Sequence, residues 1–127
     1  MSEHYCDVSL GEYDGNDAQL WRQREVVGRK LHRCYECGED ILVGVRHEVI
    51  NGKWDGRFRL YRFCLACSEV QREFSESGRI FGNTWEVFKD EWNNGATLQG
   101  CLNRLTTSAA KALMTRQYRA FKRLDAP

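Results

Sequence analysis

Two Cys-x-x-Cys pairs, Cys34/Cys37 and Cys64/Cys67, stand 26 residues apart in a chain of 127. Thiolates with two residues between them can reach one ion, because the chain curls back within a single tight turn. Two such pairs supply the four ligands of a closed, tetrahedral, structural zinc site. Gly38 follows the first pair and lets the backbone take a positive φ, as a zinc knuckle requires. The second pair runs into Ser-Glu-Val-Gln-Arg-Glu-Phe, which reads as a helix. Its ligands then lie at a helix N-terminus, where free amides and the dipole favour thiolate charge. Two other chemistries compete. A redox dithiol needs a single Cys-x-x-Cys in a βαβ unit, and no such pattern surrounds these pairs. Disulfides need an oxidising compartment, for which the sequence carries no signal.

The remaining reactive residues are sparse. His47 is the one histidine placed to act as the general base of a His-Asn-His nuclease, a chemistry that treble-clef zinc folds also frame. The segment after Cys67 lacks the second histidine such a site uses. Neither a glycine-rich phosphate loop nor a Gly-x-Ser-x-Gly elbow occurs. Cys6 and Cys101 read as separate packed or free thiols, the alternative being a second metal site with His4. The sequence therefore points to binding rather than catalysis.

Elements must position the four sulfurs. Residues 1–17 read as an irregular or strand-like arm, and residues 18–33 as a short helix or extended lead-in. Residues 41–63 alternate as a β-hairpin, with turn dipeptides at Asn51-Gly52 and Asp55-Gly56 and with Trp54 near the tip. A helix follows over 65–77. Asn83 caps another over 83–94, whose Trp85, Phe88 and Trp92 share one face. A third apolar helical face spans 97–105. Thr106, Thr107 or Ser108 starts the last helix, which is amphipathic and basic. The order of knuckle, hairpin and helix predicts an α+β, treble-clef-like zinc finger with a C-terminal helical extension. One domain is expected: an N-terminal arm and basic lead-in (1–33), a zinc finger (34–77) and a helical extension (78–127).

The formal charge of +1 hides uneven segments. Residues 21–33 hold five bases and one acid, and residues 101–127 hold six bases and one acid. Arg29, Lys30 and Arg33 either offset thiolate charge or contact phosphates. Arg116, Arg119, Lys122 and Arg123 form either the solvated face of a core-packed helix or a docking surface. Trp54 either anchors a partner or folds back on the hairpin. No apolar run reaches the length of a membrane span, and residues 1–15 lack a hydrophobic signal region, so a cytoplasmic location is expected.

Three stretches, Arg29-Lys30-x-His32-Arg33-Cys34-x-x-Cys37-Gly38, Gly52-Lys53-Trp54-Asp55-Gly56 and Tyr61-x-x-Cys64-x-x-Cys67, are joined by the opening Cys6-Asp7-Val8-x-x-Gly11-x-Tyr13-Asp14-Gly15. Together they resemble small zinc-finger-like proteins encoded by bacteriophages and prophages, over residues 6–74. The resemblance implies a phage or prophage origin and a zinc-binding fold in the cytoplasm of a bacterial host. It implies little about activity. The combined expectation is a non-enzymatic accessory protein with one structural Zn2+ that binds and modulates a host protein, as a counter-defence inhibitor does. A nucleic-acid-binding finger is the alternative, a His-Asn-His nuclease relative a third, and a homodimer through the C-terminal helices is also expected to be accessible.

Overall fold

The computed structural model describes residues 5–12, 20–54 and 56–125. Among the described residues the elements follow in order: β1 (Gly11–Glu12), β2 (Leu20–Val27), β3 (His32–Arg33), β4 (Asp40–Ile41), β5 (Arg46–Trp54), β6 (Arg57–Cys64), α1 (Leu65–Phe74), β7 (Ser75–Ser77), α2 (Thr84–Asn93), α3 (Leu98–Leu102) and α4 (Ser108–Asp125). The architecture is α+β. Its central sheet is antiparallel in the order β2-β5-β6.

The predicted hairpin is β5–β6, but it turns only once. Trp54 pairs with Arg57, so Asn51-Gly52 stays within the strand; Asp55, of the other turn dipeptide, lies outside the described residues. Opposite residues of an antiparallel pair share a face. Glu48, Ile50, Tyr61 and Phe63 therefore face the helices, and Ile50 and Phe63 are fully buried there. His47 and Val49 point to the other face and are also fully buried. Both faces are covered at this point, which erases the expected alternation.

Within the segment expected to be a short helix or extended lead-in, Leu20–Val27 takes the extended alternative as the edge strand β2. It pairs with β5 from Leu20↔Lys53 to Val27↔Arg46. The finger helix stops at Phe74, three residues short of the expectation, because Ser75–Ser77 leave it to pair with β1. Thr97 caps α3, its hydroxyl accepting from Gly100 N at 3.0 Å, and Thr107 Oγ1 accepts from Ala110 N at 3.2 Å at the start of α4.

The core joins finger and extension. Ile50, Phe63, Val70 and Phe74 pack with Trp85, Phe88, Trp92, Leu113 and Met114 in one cluster. The Phe74 and Phe88 rings meet edge to face, 4.8 Å apart. The predicted aromatic stripe of α2 is core. So is the apolar stripe of α4, where Ala110, Leu113 and Met114 are buried.

Cys6 forms a disulfide with Cys101, across 95 residues. This corrects the expectation of two separate thiols. The sequence holds no cue for it, because the arm and α3 meet only through tertiary packing. Thr97 N donates to Tyr5 O at 2.6 Å, Leu10 N donates to Phe74 O at 2.9 Å, and the Arg104 guanidinium lies 4.0 Å over the Phe74 ring. Cys101→Ser is expected to lower stability by about 2–5 kcal/mol, chiefly by releasing a long loop in the unfolded chain. Thermal melts with unchanged metal content check this; an unshifted melt contradicts the pairing. The possible second metal site with His4 involves a residue outside those described.

Candidate metal centre

The thiols of Cys34, Cys37, Cys64 and Cys67 converge, with all four sulfurs within 4.8 Å of one another. Cys37 Sγ and Cys64 Sγ are 4.0 Å apart. A zinc–sulfur tetrahedron with bonds of about 2.3 Å has edges of about 3.8 Å. The sulfur cage therefore matches one tetrahedral ion to within small side-chain rotations. Cys34 and Cys67 are buried and the other two half-buried.

Local backbone makes this convergence. Gly38 has φ +77, a left-handed conformation that costs glycine little. It allows Gly38 N to donate back to Cys34 O at 2.9 Å, closing the knuckle. Arg33 Nε donates to Gly38 O at 2.9 Å and braces the same turn. Tyr35 N donates to Arg62 O at 2.8 Å, which fastens the knuckle to β6. The second pair sits at the start of α1, as the sequence implied: Cys64 is the N-cap residue, and its sulfur accepts from Cys67 N.

Three backbone amides point at sulfur, each at 3.4 Å: Glu39 N to Cys37, Cys64 N to Cys34 and Cys67 N to Cys64. Such donors stabilise thiolate over thiol. The clustered sulfurs compete for protons. Hydrogen bonding from Cys37 holds Cys34 below the usual thiol range, whereas hydrogen bonding to Cys34 pushes Cys67 above it. A bound cation removes that competition, because each sulfur then ligates as thiolate.

The knuckle is also tied to the extension. The Glu36 carboxylate accepts from Gly82 N at 2.8 Å and Thr84 Oγ1 at 2.6 Å. It caps α2 in place of Asn83, whose side chain makes no capping bond. Arg116 of α4 makes a two-pronged pair with Glu39, at 2.9 and 3.0 Å. That pairing raises the Arg116 pKa, as do the nearby Cys37 and Cys64 sulfurs. Arg116 is thus tied to the knuckle, where it offsets thiolate charge, and its side chain stays more than half exposed.

The other expected partner-binding residues scatter. Arg119 and Arg123 are exposed on α4, and Lys122 extends over the Tyr118 and Phe121 rings at 5.6 and 5.7 Å. Arg29 and Lys30 are exposed and line one cleft with Arg24, His32 and Arg62. The side chain of Trp54 lies outside those described, as does Asp55.

His47 is fully buried. Arg62 Nη1 lies 2.9 Å from its Nε2, and Val45 O lies 3.2 Å from its Nδ1. Arginine only donates, so Nε2 accepts and Nδ1–H donates to the carbonyl. Both ring nitrogens are engaged, so the ring positions Arg62.

Sequence reasoning overlooked an apolar surface beside the centre. Leu42 and Val43, 60% and 61% exposed, lie on a turn closed by Val45 N to Leu42 O. Gly44 N donates to Gly28 O at 2.9 Å and holds this turn against the end of β2, where Val27 is also exposed. A groove of about 330 Å3 adjoins it, lined by Val45, Leu65, Ala109 and Ala112 and edged by Arg46 and Arg116. Leu42-Val43-Gly44-Val45 reads as strand in the sequence; its exposure follows only from the turn. Comparison with protein-family models, curated proteins and solved structures finds no match for this chain.

Proposed function

We propose that Cys34, Cys37, Cys64 and Cys67 hold one structural zinc ion in a treble-clef arrangement, and that this centre presents a surface for docking on another protein. An all-sulfur, closed, tetrahedral set with amide donors to sulfur suits zinc and leaves no open position for a substrate. The observation that carries the docking reading is the exposed turn of Leu42, Val43 and Val45, continuous with the groove against α4. An apolar centre with a charged edge is the usual anatomy of a protein-binding patch. The burial and double engagement of His47 weigh against a nuclease, which needs its general base accessible. The resemblance to phage zinc-finger-like proteins supplies the partner class, a protein of the bacterial host whose activity the docking modulates, as a counter-defence inhibitor does.

The test is affinity capture from host lysate, run with and without nuclease treatment, comparing the native chain with a Leu42→Asp/Val43→Asp variant. The same host protein should be recovered with and without nuclease by the native chain, and lost by the variant while zinc content is unchanged. Capture that disappears with nuclease, or weakens steeply with salt, instead selects the nucleic-acid reading.

A further inference from the structure

A second feature lies on the sheet face away from the core. Arg24 of β2 and Arg62 of β6 flank the buried Val49, one on each side. With Arg29, Lys30 and His32 they line an open cleft of about 410 Å3, at which Gly28 is also placed. A Cβ on Gly28 would come within 3.3 Å of His47 Cε1 and of Lys30 O, so a larger residue would make these groups shift by a few tenths of an ångström. A second cleft, of about 510 Å3, shares His32 and Arg62 with the first and is lined further by Tyr35, Leu60 and Tyr61. Both volumes fall within the range of small-ligand sites, roughly 300–1,000 Å3.

We infer that these two adjoining clefts form a nucleotide site, the basic cleft taking the phosphate and the tyrosine-lined cleft taking the base.

Among the described residues no acidic side chain lines either cleft, and Arg24, Arg29, Lys30 and Arg62 make no ion pair with a carboxylate. Four cations gathered without a counter-charge repel one another and attract an anion. Arginine forks match phosphate oxygens in geometry as well as charge. Arg62 is held in advance: buried His47 accepts from its Nη1 and is itself fixed by Val45 O. A donor already in place loses less entropy when the ligand arrives. In the other cleft Tyr35 is 56% exposed, and its ring is braced by Tyr61 at 4.7 Å. A firmly held, exposed aromatic face is a stacking platform for a base. The inference goes beyond the docking reading and does not depend on it, since the apolar turn takes no part.

The test uses the full zinc-loaded chain at low salt, titrated with inorganic phosphate, adenosine monophosphate and a short single-stranded oligonucleotide, followed by calorimetry. The mononucleotide should bind saturably and about tenfold tighter than phosphate, the gain expected of one stacked base. Arg24→Gln and Arg62→Gln should each weaken all three probes by about tenfold or more. Tyr35→Ala should weaken the nucleotide probes and leave phosphate unchanged. Arg29→Gln and Lys30→Gln, on exposed side chains, repeat the test without risk to the fold. An oligonucleotide that binds tighter than the monophosphate, with steep salt dependence, assigns the site to single strands; equal affinities assign it to free nucleotides. Absence of saturable binding by every probe, or binding indifferent to all four basic substitutions, overturns the inference. Equal affinity for phosphate and nucleotide, unaffected by Tyr35→Ala, overturns its base-binding half.

Discussion

Cys34→Ser or Cys64→Ser is expected to yield protein that retains no zinc and does not fold, recovered as insoluble or protease-sensitive chain. The two sulfurs sit at different hubs. Cys34 opens the knuckle and accepts from Cys64 N, while Cys64 caps α1 and accepts from Cys67 N. Removing either takes away a proposed zinc ligand and a local turn together. Zinc held by such sulfurs contributes roughly 10–16 kcal/mol in finger peptides. A domain's whole stability is about 5–15 kcal/mol. The loss is therefore comparable to the entire margin. It also spreads, because Glu36 and Glu39 of the knuckle hold the starts and sides of α2 and α4. Circular dichroism of the refolded variants with added zinc checks this; a native spectrum without bound zinc contradicts it.

Arg79→Met should be the most damaging substitution away from the sulfurs, costing about 3–5 kcal/mol. Arg79 and Glu48 are 8% and 6% exposed. The guanidinium binds both carboxylate oxygens of Glu48, and its Nε donates to Gln71 Oε1 at 3.0 Å. Ser68 Oγ adds a 2.7 Å bond to the same carboxylate, and Gln71 passes the network to Glu36 at 2.8 Å. One arginine thus links the sheet, α1 and the knuckle. Methionine in its place leaves a buried carboxylate without its main partner. Burial alone would raise the Glu48 pKa; the Arg79 and Ser68 hydrogen bonds and the Arg79 charge outweigh it and hold the carboxyl below its usual range.

The sign of the pH dependence follows. A depressed carboxyl stabilises the fold fully above its unfolded pKa and ceases to do so as pH falls through its folded pKa. In Arg79→Met the same carboxyl is raised, so the folded variant gains relative stability on protonation. The gap between native chain and variant should narrow as pH falls from neutral toward about pH 4. Denaturant melts at several pH values check this, and Arg79→Met/Glu48→Leu should recover much of the loss. A pH-independent gap contradicts the pairing.

What the sequence revealed depended on range. Cys34, Cys37, Cys64 and Cys67 were legible because each pair is local and the hairpin and helix between and after them obey short-range rules. The strand β2 was legible only as one of two alternatives, because Arg22-Gln23-Arg24-Glu25 carries no apolar period and its pairing with β5 is non-local. Asn51-Gly52 is a strong turn dipeptide that pairing on both edges of β5 overrides. Asn83 had the right chemistry for a cap, but Glu36, distant in sequence, reaches the helix end instead. Cys6 with Cys101, and Arg79 with Glu48, are contacts that only the folded chain defines. The same holds for Leu42 and Val43, whose apolar character suggests burial until the turn places them outside.

The most direct measurement is the metal content of the purified chain, by mass spectrometry with protein quantified independently. The proposed centre predicts one zinc per chain, lost on chelation together with the cooperative melt. Metal far below one per chain, in protein that still melts cooperatively, would contradict it.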